Sequence, residues 1–407
     1  MKISIDGKQF KEAVDRAMTL IKGRPVIYLM ECIKLIADDS GAYLFATNGL
    51  YALKIKLDAH VVEQGEAYVN ADDMKKVYAM PGFLSIEAGK AFVVRNGKKR
   101  SEVVARAADR DLECMFVGNV KDAKDGGQLF AVGADVLMSM LRATDCARSQ
   151  AEESGGREVL NGFNFNGGLM KLVALDGYRL HSVKLAIDEV DSVKMNGFNK
   201  AVHGDMYAHL KKIIKGKSAK GVLHVHDFGK YMKVIGGDFE YSICYIPGDP
   251  LKVEKIIPAQ FDFSYRLSVK ELSEIVKGYK ANCICTDEVG ANSMHMHIVN
   301  GQLRTGMMHS EIHTMDELEG YSPDYGMNDK YFHSFNVRYM YDALTAIKEY
   351  DDNDVVIASG TNSYNMMTSI NVHPLLLTHG DMLCLVLPVR IAEEYILAIK
   401  SFMQSDM

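Results

Sequence analysis

Two short patterns in this chain carry residue types that could do chemistry. Cys283-x-Cys285 and His295-x-His297 flank a predicted hairpin, and thiolates with imidazoles are a ligand set for tetrahedral zinc. Alternation tells against that use. A strand turns successive side chains to opposite faces, so Cys283 and Cys285 share one face, and Met294 and Met296 match it across the hairpin. His295 and His297 are then expected on the other, solvated side. Strand-period cysteines that are simply buried fit the pattern better, and no metal or cofactor is expected. The sequence contains no GxxxxGK[ST], GxSxG or HExxH, the spacings that cradle a phosphate, raise a serine nucleophile or seat a zinc on a helix. Carboxylates are numerous, but no pair is set apart for proton transfer. A protein without catalytic residues is expected. The rival is a metal-dependent nucleic-acid enzyme built on the Cys/His hairpin, which stoichiometric zinc, lost on changing His295 and His297, would reveal.

The bulk numbers agree with a binding protein of several domains. With 407 residues the chain is too long for one small core. Hydrophobic content of 48% and charged content of 25% are ordinary for a globular protein. No apolar run reaches the roughly 18–20 residues of a membrane helix, and MKISIDGKQF lacks a signal-peptide core. Seven Cys without a CxxC pair suit reduced thiols in a cytoplasm. A formal charge of −6 opposes bulk electrostatic capture of nucleic acid but allows a local basic surface.

The elements repeat. Phe10, Ala13, Val14, Ala17, Met18 and Ile21 make one apolar stripe, predicting a helix over 8–21 that Gly23-Arg24-Pro25 ends. Asn70 caps a second, 71–80, stopped by Pro81-Gly82. Helices are predicted again over 135–147 and 204–215, then over 268–279 and 337–349. First helices recur near residues 8, 135 and 268, and second helices near 71, 204 and 337, a domain-sized period of about 130 residues. Alternating strands joined by short turns lie between them. Leu44–Leu57 turns on Asn48-Gly49 and Leu172–Leu185 on Asp176-Gly177, dipeptides that tolerate a tight hairpin's positive φ. The pattern predicts an α+β chain of antiparallel sheets with helices on one face. The domains are expected at 1–120, 128–257 and 258–391, with Lys121–Gly127 as a linker and 392–407 as a tail.

Three α+β repeats of this size, closing on Leu387-Pro388-Val389-Arg390-Ile391, resemble the beta subunit of bacterial DNA polymerase III, the sliding clamp family. Gly23-Arg24-Pro25, Leu160-Asn161-Gly162, Ala174-Leu175-Asp176-Gly177-Tyr178-Arg179-Leu180, Gly237-Asp238-Phe239 and Phe335-Asn336-Val337 carry the resemblance in order. It implies a head-to-tail dimeric ring of six domains around duplex DNA, a processivity factor that tethers polymerase, and a cytoplasmic, nucleoid-associated place. Twelve helices at roughly 9 Å spacing close a circle of about 34 Å diameter, leaving roughly 24 Å inside their surfaces. That admits a duplex of roughly 20 Å with water around it. Residues off the apolar stripes that could meet phosphates are Lys11, Arg16, Arg24, Lys75, Lys76, Arg142, Arg148, Lys211, Lys212, Lys277 and Arg338. An ordinary solvated helix face is the alternative for each.

The resemblance also implies a cleft for a short peptide, Gln followed by an apolar pair, from polymerase and clamp loader. Its residues here are Leu160, Leu175, Gly177, Tyr178, Arg179, Leu180, Lys255, Ile256, Asn336, Tyr339, Val386, Leu387, Pro388, Val389 and Arg390. A dimer contact is implied at Val103, Val104 and Tyr279. Three departures stand out. The family's Phe-Pro-Asp-Tyr loop reads Asp249-Pro250-Leu251-Lys252-Val253, its interface aromatic falls near Ser101, and the tail past Ile391 is additional. Tyr395, Ile396, Ile399 and Phe402 have helical spacing, and the tail is expected either beside the cleft, modulating peptide access, or as a helix packed for stability or a loose end. A clamp-like adaptor that binds partners without closing on DNA is the alternative function.

Overall fold

Among the described residues five strands run straight into a helix and a sixth does so after one glycine, and at four of these changes the residue caps the helix. In the computed structural model, Asp6, Asn70, Ser268 and Asn336 end strands in extended geometry and receive backbone N–H groups of the following turn on their side-chain oxygens. The structure describes residues 1–21, 27–78, 80–106, 111–118, 127–150, 155–185, 189–190, 192–215, 221–249, 251–258, 260–283, 292–309, 312–318, 321–325, 331–349, 354–361 and 373–405. The α-helices among them are α1 (Gly7–Ala17), α2 (Ala71–Val77), α3 (Ala134–Asp145), α4 (Ser192–Gly197), α5 (Asp205–Ile213), α6 (Val269–Ala281), α7 (Val337–Lys348) and α8 (Glu393–Gln404). All but α4 and α8 follow a strand, close to the predicted positions. The first is shorter than expected: after Ala17 the chain continues to Ile21 in tight i→i+3 turns.

The chain divides into two compact units, Met1–Met138 with Ala186–Ile246, and Ser139–Leu185 with Pro247–Met407. The first unit holds a nine-stranded antiparallel sheet in the order Glu189–Val190, Gln128–Gly133, Val222–Asp227, Tyr231–Ile235, Phe239–Cys244, Tyr51–Leu57, Gly41–Thr47, Cys32–Asp38 and Gly65–Asn70. It also holds a five-stranded sheet, Ala59–Glu63, Lys2–Asp6, Phe83–Ala88, Ala91–Asn96 and Lys99–Val104. In the second unit eight strands pair in the order Gly162–Asn166, Lys171–Leu175, Arg179–Lys184, Met382–Val386, Leu375–His379, Asp354–Thr361, Gln260–Ser268 and Tyr321–Tyr325. A four-stranded sheet follows the order Ile312–Glu317, Gln302–His309, Ser293–Val299 and Phe332–Asn336. The fold is α+β and antiparallel.

Alternation sets the cores. Met294, Met296 and Ile298 join Leu267, Leu272, Val276, Met340 and Leu344 in one buried cluster of the second unit. His295 and His297 point to the opposite face, as strand geometry requires. That face is not solvated, which corrects the expectation: both histidines are buried. The cover is α8. Ile399 and Met403 of this helix pack on Phe332, with Met308, Met315, Ile396 and Phe402 around them. Arg304 Nη1 donates to the carbonyls of Met403 (2.8 Å) and Ser405 (3.0 Å), while its Nε meets Glu317 at 3.1 Å. A paired cation at a helix C-terminus satisfies carbonyls that have no helical partner. The tail therefore packs on the four-stranded sheet, not beside the cleft strands, and it turns a one-faced sheet into a two-faced one.

Candidate functional site

The site is built on the Asp176-Gly177 hairpin of the second unit. Asp176 Oδ1 accepts the backbone N–H groups of Tyr178 (2.8 Å) and Arg179 (2.9 Å), and Gly177 takes φ +95°. An L-side chain rarely adopts that φ, so the turn needs its glycine. Strand 179–184 then pairs with 382–386, placing Arg179 opposite Val386. Leu387 N donates to Tyr178 O (2.8 Å), and Val389 N donates to Ser334 O (2.7 Å). The chain closing on residues 387–390 is thereby fixed between the hairpin and strand 332–336.

Asn336 ends that strand and caps α7, receiving Arg338 N at 2.9 Å. One turn into α7, Tyr339 lies 6.3 Å from the Tyr178 ring at 27°. The Arg179 guanidinium sits 4.4 Å from the Tyr339 ring centre, donates from Nε to Asp176 Oδ2 (2.9 Å) and from Nη1 to Asp342 Oδ2 (2.6 Å). Burial pulls the pKa of Arg179 down, yet its hydrogen bond to Asp342 and the charges of both carboxylates hold it above the ordinary value. Arg179 is thus a rigid, charge-compensated wall. Tyr178 is 63% exposed.

The other expected cleft residues differ in exposure. Leu160, Leu175, Leu180 and Val386 are buried, Leu387, Pro388, Val389 and Ile256 are half-buried, and Lys255 and Arg390 are exposed. Leu251 and Val253 of the altered loop are buried as well, with Pro250 outside the described residues. Below the hairpin, His181 is fully buried and stays neutral, its pKa pushed down to about 4 by burial. Its Nδ1 lies 2.8 Å from Ala143 O, to which it donates, and 3.5 Å from Cys146 Sγ. Burial pushes the Cys146 thiol up to about 12, so it is a protonated wall residue and not a nucleophile. Asp342 and Asp176 were not anticipated as site residues. The signal was present in part, since Asp342 stands three residues after Tyr339 and so shares its helix face.

The basic residues expected to face DNA divide into two kinds. Arg16 is buried and held bidentately by Asp238 at 2.5 and 3.0 Å. Arg148 is held by Asp145 (2.9 Å from Nε) and Asn161 O (3.0 Å) over the Phe163 ring. Neither is free to meet a phosphate, a correction with two causes: Arg16 is taken by a carboxylate distant in sequence, and Arg148 by the neighbouring Asp145 and a carbonyl of the next segment, which an apolar stripe does not show. Lys11, Lys75, Lys76 and Arg142 are each neutralised by Asp15, Asp72, Asp73 and Glu349 at 2.7–3.1 Å. Lys211 lies near the Tyr207 ring. Lys212, Lys277 and Arg338 are exposed and form no ion pair among the described residues. Arg24 lies outside those residues.

Of the expected dimer residues, Val103 and Val104 lie on 99–104, the open edge of the five-stranded sheet, with Val104 60% exposed. Tyr279 is a correction. It is 3% exposed in the core, and its hydroxyl donates to Asp316 Oδ2 (2.6 Å) and lies 3.0 Å from Thr305 Oγ1. Nor do the described residues of the Cys/His pattern converge. His295 Nδ1 is bonded to Ser334 and His297 Nδ1 to Tyr331 O, both at 2.8 Å. Cys283 turns back to Tyr279 O, and Cys285 is outside the described residues. No group of three or more His, Cys, Asp or Glu among the described residues is arranged to hold a metal ion. No helix among them is long and apolar enough to cross a membrane.

No protein-family model matches the sequence, and no curated protein sequence matches it. Solved structures do match. The beta subunit from DNA polymerase of Streptococcus pyogenes aligns with a TM-score of 0.78 at 16% identity, over 96% of this chain and 100% of that one. The DNA polymerase sliding clamp from Bacillus subtilis gives 0.78 at 18% identity, and that from Pseudomonas aeruginosa gives 0.75 at 18%, with the same coverage. At these identities the likeness is one of fold: the chain has the sliding-clamp fold along nearly its whole length.

Proposed function

We propose that this chain is a DNA polymerase processivity clamp without catalytic activity, which closes head to tail with a second copy around duplex DNA. One observation carries the reading: the largest sheet of each unit contains a joint between strands distant in sequence, while the two smaller sheets contain none. In the first unit, strand 239–244 joins 51–57 and makes one continuous sheet. In the second, 179–184 joins 382–386 in the same way. A five-stranded sheet ending at 99–104 and a four-stranded sheet ending at 312–317 remain without such a joint. Open strand edges invite pairing with another chain, and a second copy supplies both complements at once. Two joints then close a ring, as a heterologous contact does when its rotation closes.

Exposed Lys212, Lys277 and Arg338 give such a ring a thin positive lining, suited to contact with phosphates without reading bases. Compensated pairs elsewhere keep that attraction weak, which favours sliding over fixed binding. The Tyr178–Arg179–Tyr339 wall, with the half-buried Leu387, Pro388 and Val389 beside it, is proposed as the dock for short partner segments of polymerase and clamp loader. Light scattering over a dilution series tests closure, and twice the chain mass is expected. Retention on circular but not on linearised DNA is the functional test. A single-chain mass with undiminished peptide binding would instead establish the adaptor.

A further inference from the structure

We propose that the additional helix α8 is a latch on ring closure: docked, it keeps edge strand 312–317 ordered, and undocked, it leaves that strand to fray and the ring to open. The inference rests on the clamp reading and adds to it a means of opening.

The edge strand has little else to hold it. It is bonded to one neighbour, strand 302–309. His313 is exposed and residues 314–317 are only half-buried. On the core side Asp316 accepts the Tyr279 hydroxyl. On the other side alternate side chains meet α8 or its anchor. His313 lies 5.6 Å from the Phe402 ring, Met315 packs in the apolar cluster of Ile399 and Met403, and Glu317 holds Arg304. Arg304 in turn caps the last turn of α8 through the carbonyls of Met403 and Ser405. A strand with few buried apolar contacts opens at low free energy, so lifting α8 strips this one of its support on a whole face.

The seat is shaped for this helix. Gly306 lies opposite Met315 in the ladder. A Cβ on it would already touch Met403 at 3.7 Å and stand 3.0 Å from Thr314 O, so a larger side chain would lift α8. The helix is held by one narrow face, with Ile399 and Met403 its two buried side chains, while Tyr395 and Leu397 are 61% and 68% exposed. The cluster around α6 and α7 is a separate core and includes no residue of α8. The latch can therefore lift without unfolding that core.

The covered face also favours release. His295 and His297 are buried there against Phe332, and His295 Nε2 has no hydrogen-bond partner among the described residues. A buried polar atom left unbonded carries a cost that water removes once the cover lifts. The cations on this face are Arg304, paired with His297 across the ladder, and Lys400 of α8, 5.1 Å from the Phe332 ring. His313 and Glu317 stand at the edge, Glu317 already bonded to Arg304, and strand 332–336 offers Ser334 to His295. A proton on either histidine is thus disfavoured while α8 is docked, and burial holds the pKa of His295 down to about 4. Once α8 lifts, the proton is accepted, so acid favours the open latch.

The test uses the full chain at pH 7, native and carrying I399S with M403S, which removes both buried anchors. Hydrogen exchange read by mass spectrometry follows α8, the edge strand and core helix α6 separately, and light scattering over a dilution series follows the dimer. In the variant, exchange should rise about tenfold in α8 and in 312–317 and stay native in α6, and the dimer should dissociate at about tenfold higher concentration. Arg304→Gln, which keeps the apolar seat, should shift each quantity the same way by less, and it carries the test where the double variant does not fold. Met403→Leu should stay close to native. A freed α8 with either a native edge strand or a native dimer overturns the latch and leaves the ring intact. An α8 that stays protected in both releasing variants overturns it as well, because the helix is then held elsewhere. A single-chain mass for the native protein removes the ring reading itself.

Discussion

The two built joints share a backbone and differ in what lies on it. At the joint of the first unit, Cys244 N donates to Leu50 O (3.0 Å) and Ile246 N to Ala201 O (2.8 Å). These bonds repeat those of Leu387 to Tyr178 and Val389 to Ser334 in the second unit. Gly49 and Gly177 take nearly the same φ, +94° and +95°. Yet the first joint is filled. Val117 N donates to Gly49 O, and Phe116 stands edge-on to Tyr231 at 5.1 Å. Tyr51, in the place of Arg179, is buried and reaches Asp205. Lys34 locks the filling segment from below through Asp111 (2.9 Å), with Glu66 (3.0 Å) beside it. At the second joint nothing lies within 4 Å of where a Gly177 side chain would begin, and Tyr178 is exposed. The same joint is covered by residues 111–118 in one unit and left uncovered, among the described residues, in the other. Occupancy by a covering segment, not backbone geometry, should decide whether a joint receives a peptide.

The largest expected effect breaks the filled side. Replacing Lys34 by Met leaves Asp111 and Glu66 without their cation, and should cost the first unit about 3–5 kcal/mol, measured by denaturant unfolding. Phe116→Ala removes the wedge and should cost about 3 kcal/mol. Binding of a Gln-plus-apolar-pair peptide at the second joint should be unchanged in both. If opening the first joint in this way creates a second peptide site, occupancy is confirmed as the deciding factor. Unchanged stoichiometry would assign that role to Tyr51 and its neighbours instead.

Acid should act on the second unit. His181 and His295 are held neutral, each with its pKa lowered to about 4 by burial. The unfolded chain takes up protons near 6.5, so the folded state binds fewer protons between those values. Stability is complete above about pH 6.5, falls towards about pH 4 and is flat below it with respect to these groups. The loss should reach about 3 kcal/mol per histidine. Hydrogen exchange at pH 7 and pH 5 should show the loosening first on the α8-covered sheet and around the 179–184 strand. His295→Gln should remove part of the slope.

The smaller effects sharpen the open side. Arg179→Ala strands Asp342 and Asp176 and should weaken peptide binding by about tenfold, roughly 1.4 kcal/mol. Tyr178→Ala, at an exposed ring, should lower affinity by about 1 kcal/mol and leave unfolding within ±0.5 kcal/mol. Isothermal titration and denaturation on the same samples separate the two quantities. A Tyr178→Ala protein with full affinity would remove the aromatic wall from the site.

Much of this was legible in the residues. Six helices follow from apolar stripes and caps, because periodicity and capping are local and act within a few residues. The Asp176-Gly177 turn, and the facing of Met294 and Met296, follow from the two-residue period of a strand. Failures came where a partner is distant in sequence. Arg16 looked free until Asp238, 222 positions away, was found on it. Tyr279 looked available until Asp316 and Thr305 were seen around it. His295 and His297 lie opposite Met294 and Met296 as expected, but Cys283 stands at the end of α6 and not on a strand, and the histidines were expected in water, since nothing local tells that residues 393–404 return to cover that face.

The sequence by itself thus determined the elements, their threefold recurrence and which face of each strand looks inward, all consequences of short-range sterics and hydrophobic period. The tertiary structure alone decided which turn is sealed and which is open, which cations are spent on internal carboxylates, and which edges remain unpaired. Those outcomes depend on chain segments far apart in sequence meeting in space. A burial or an ion pair between such segments leaves no periodic trace in either one.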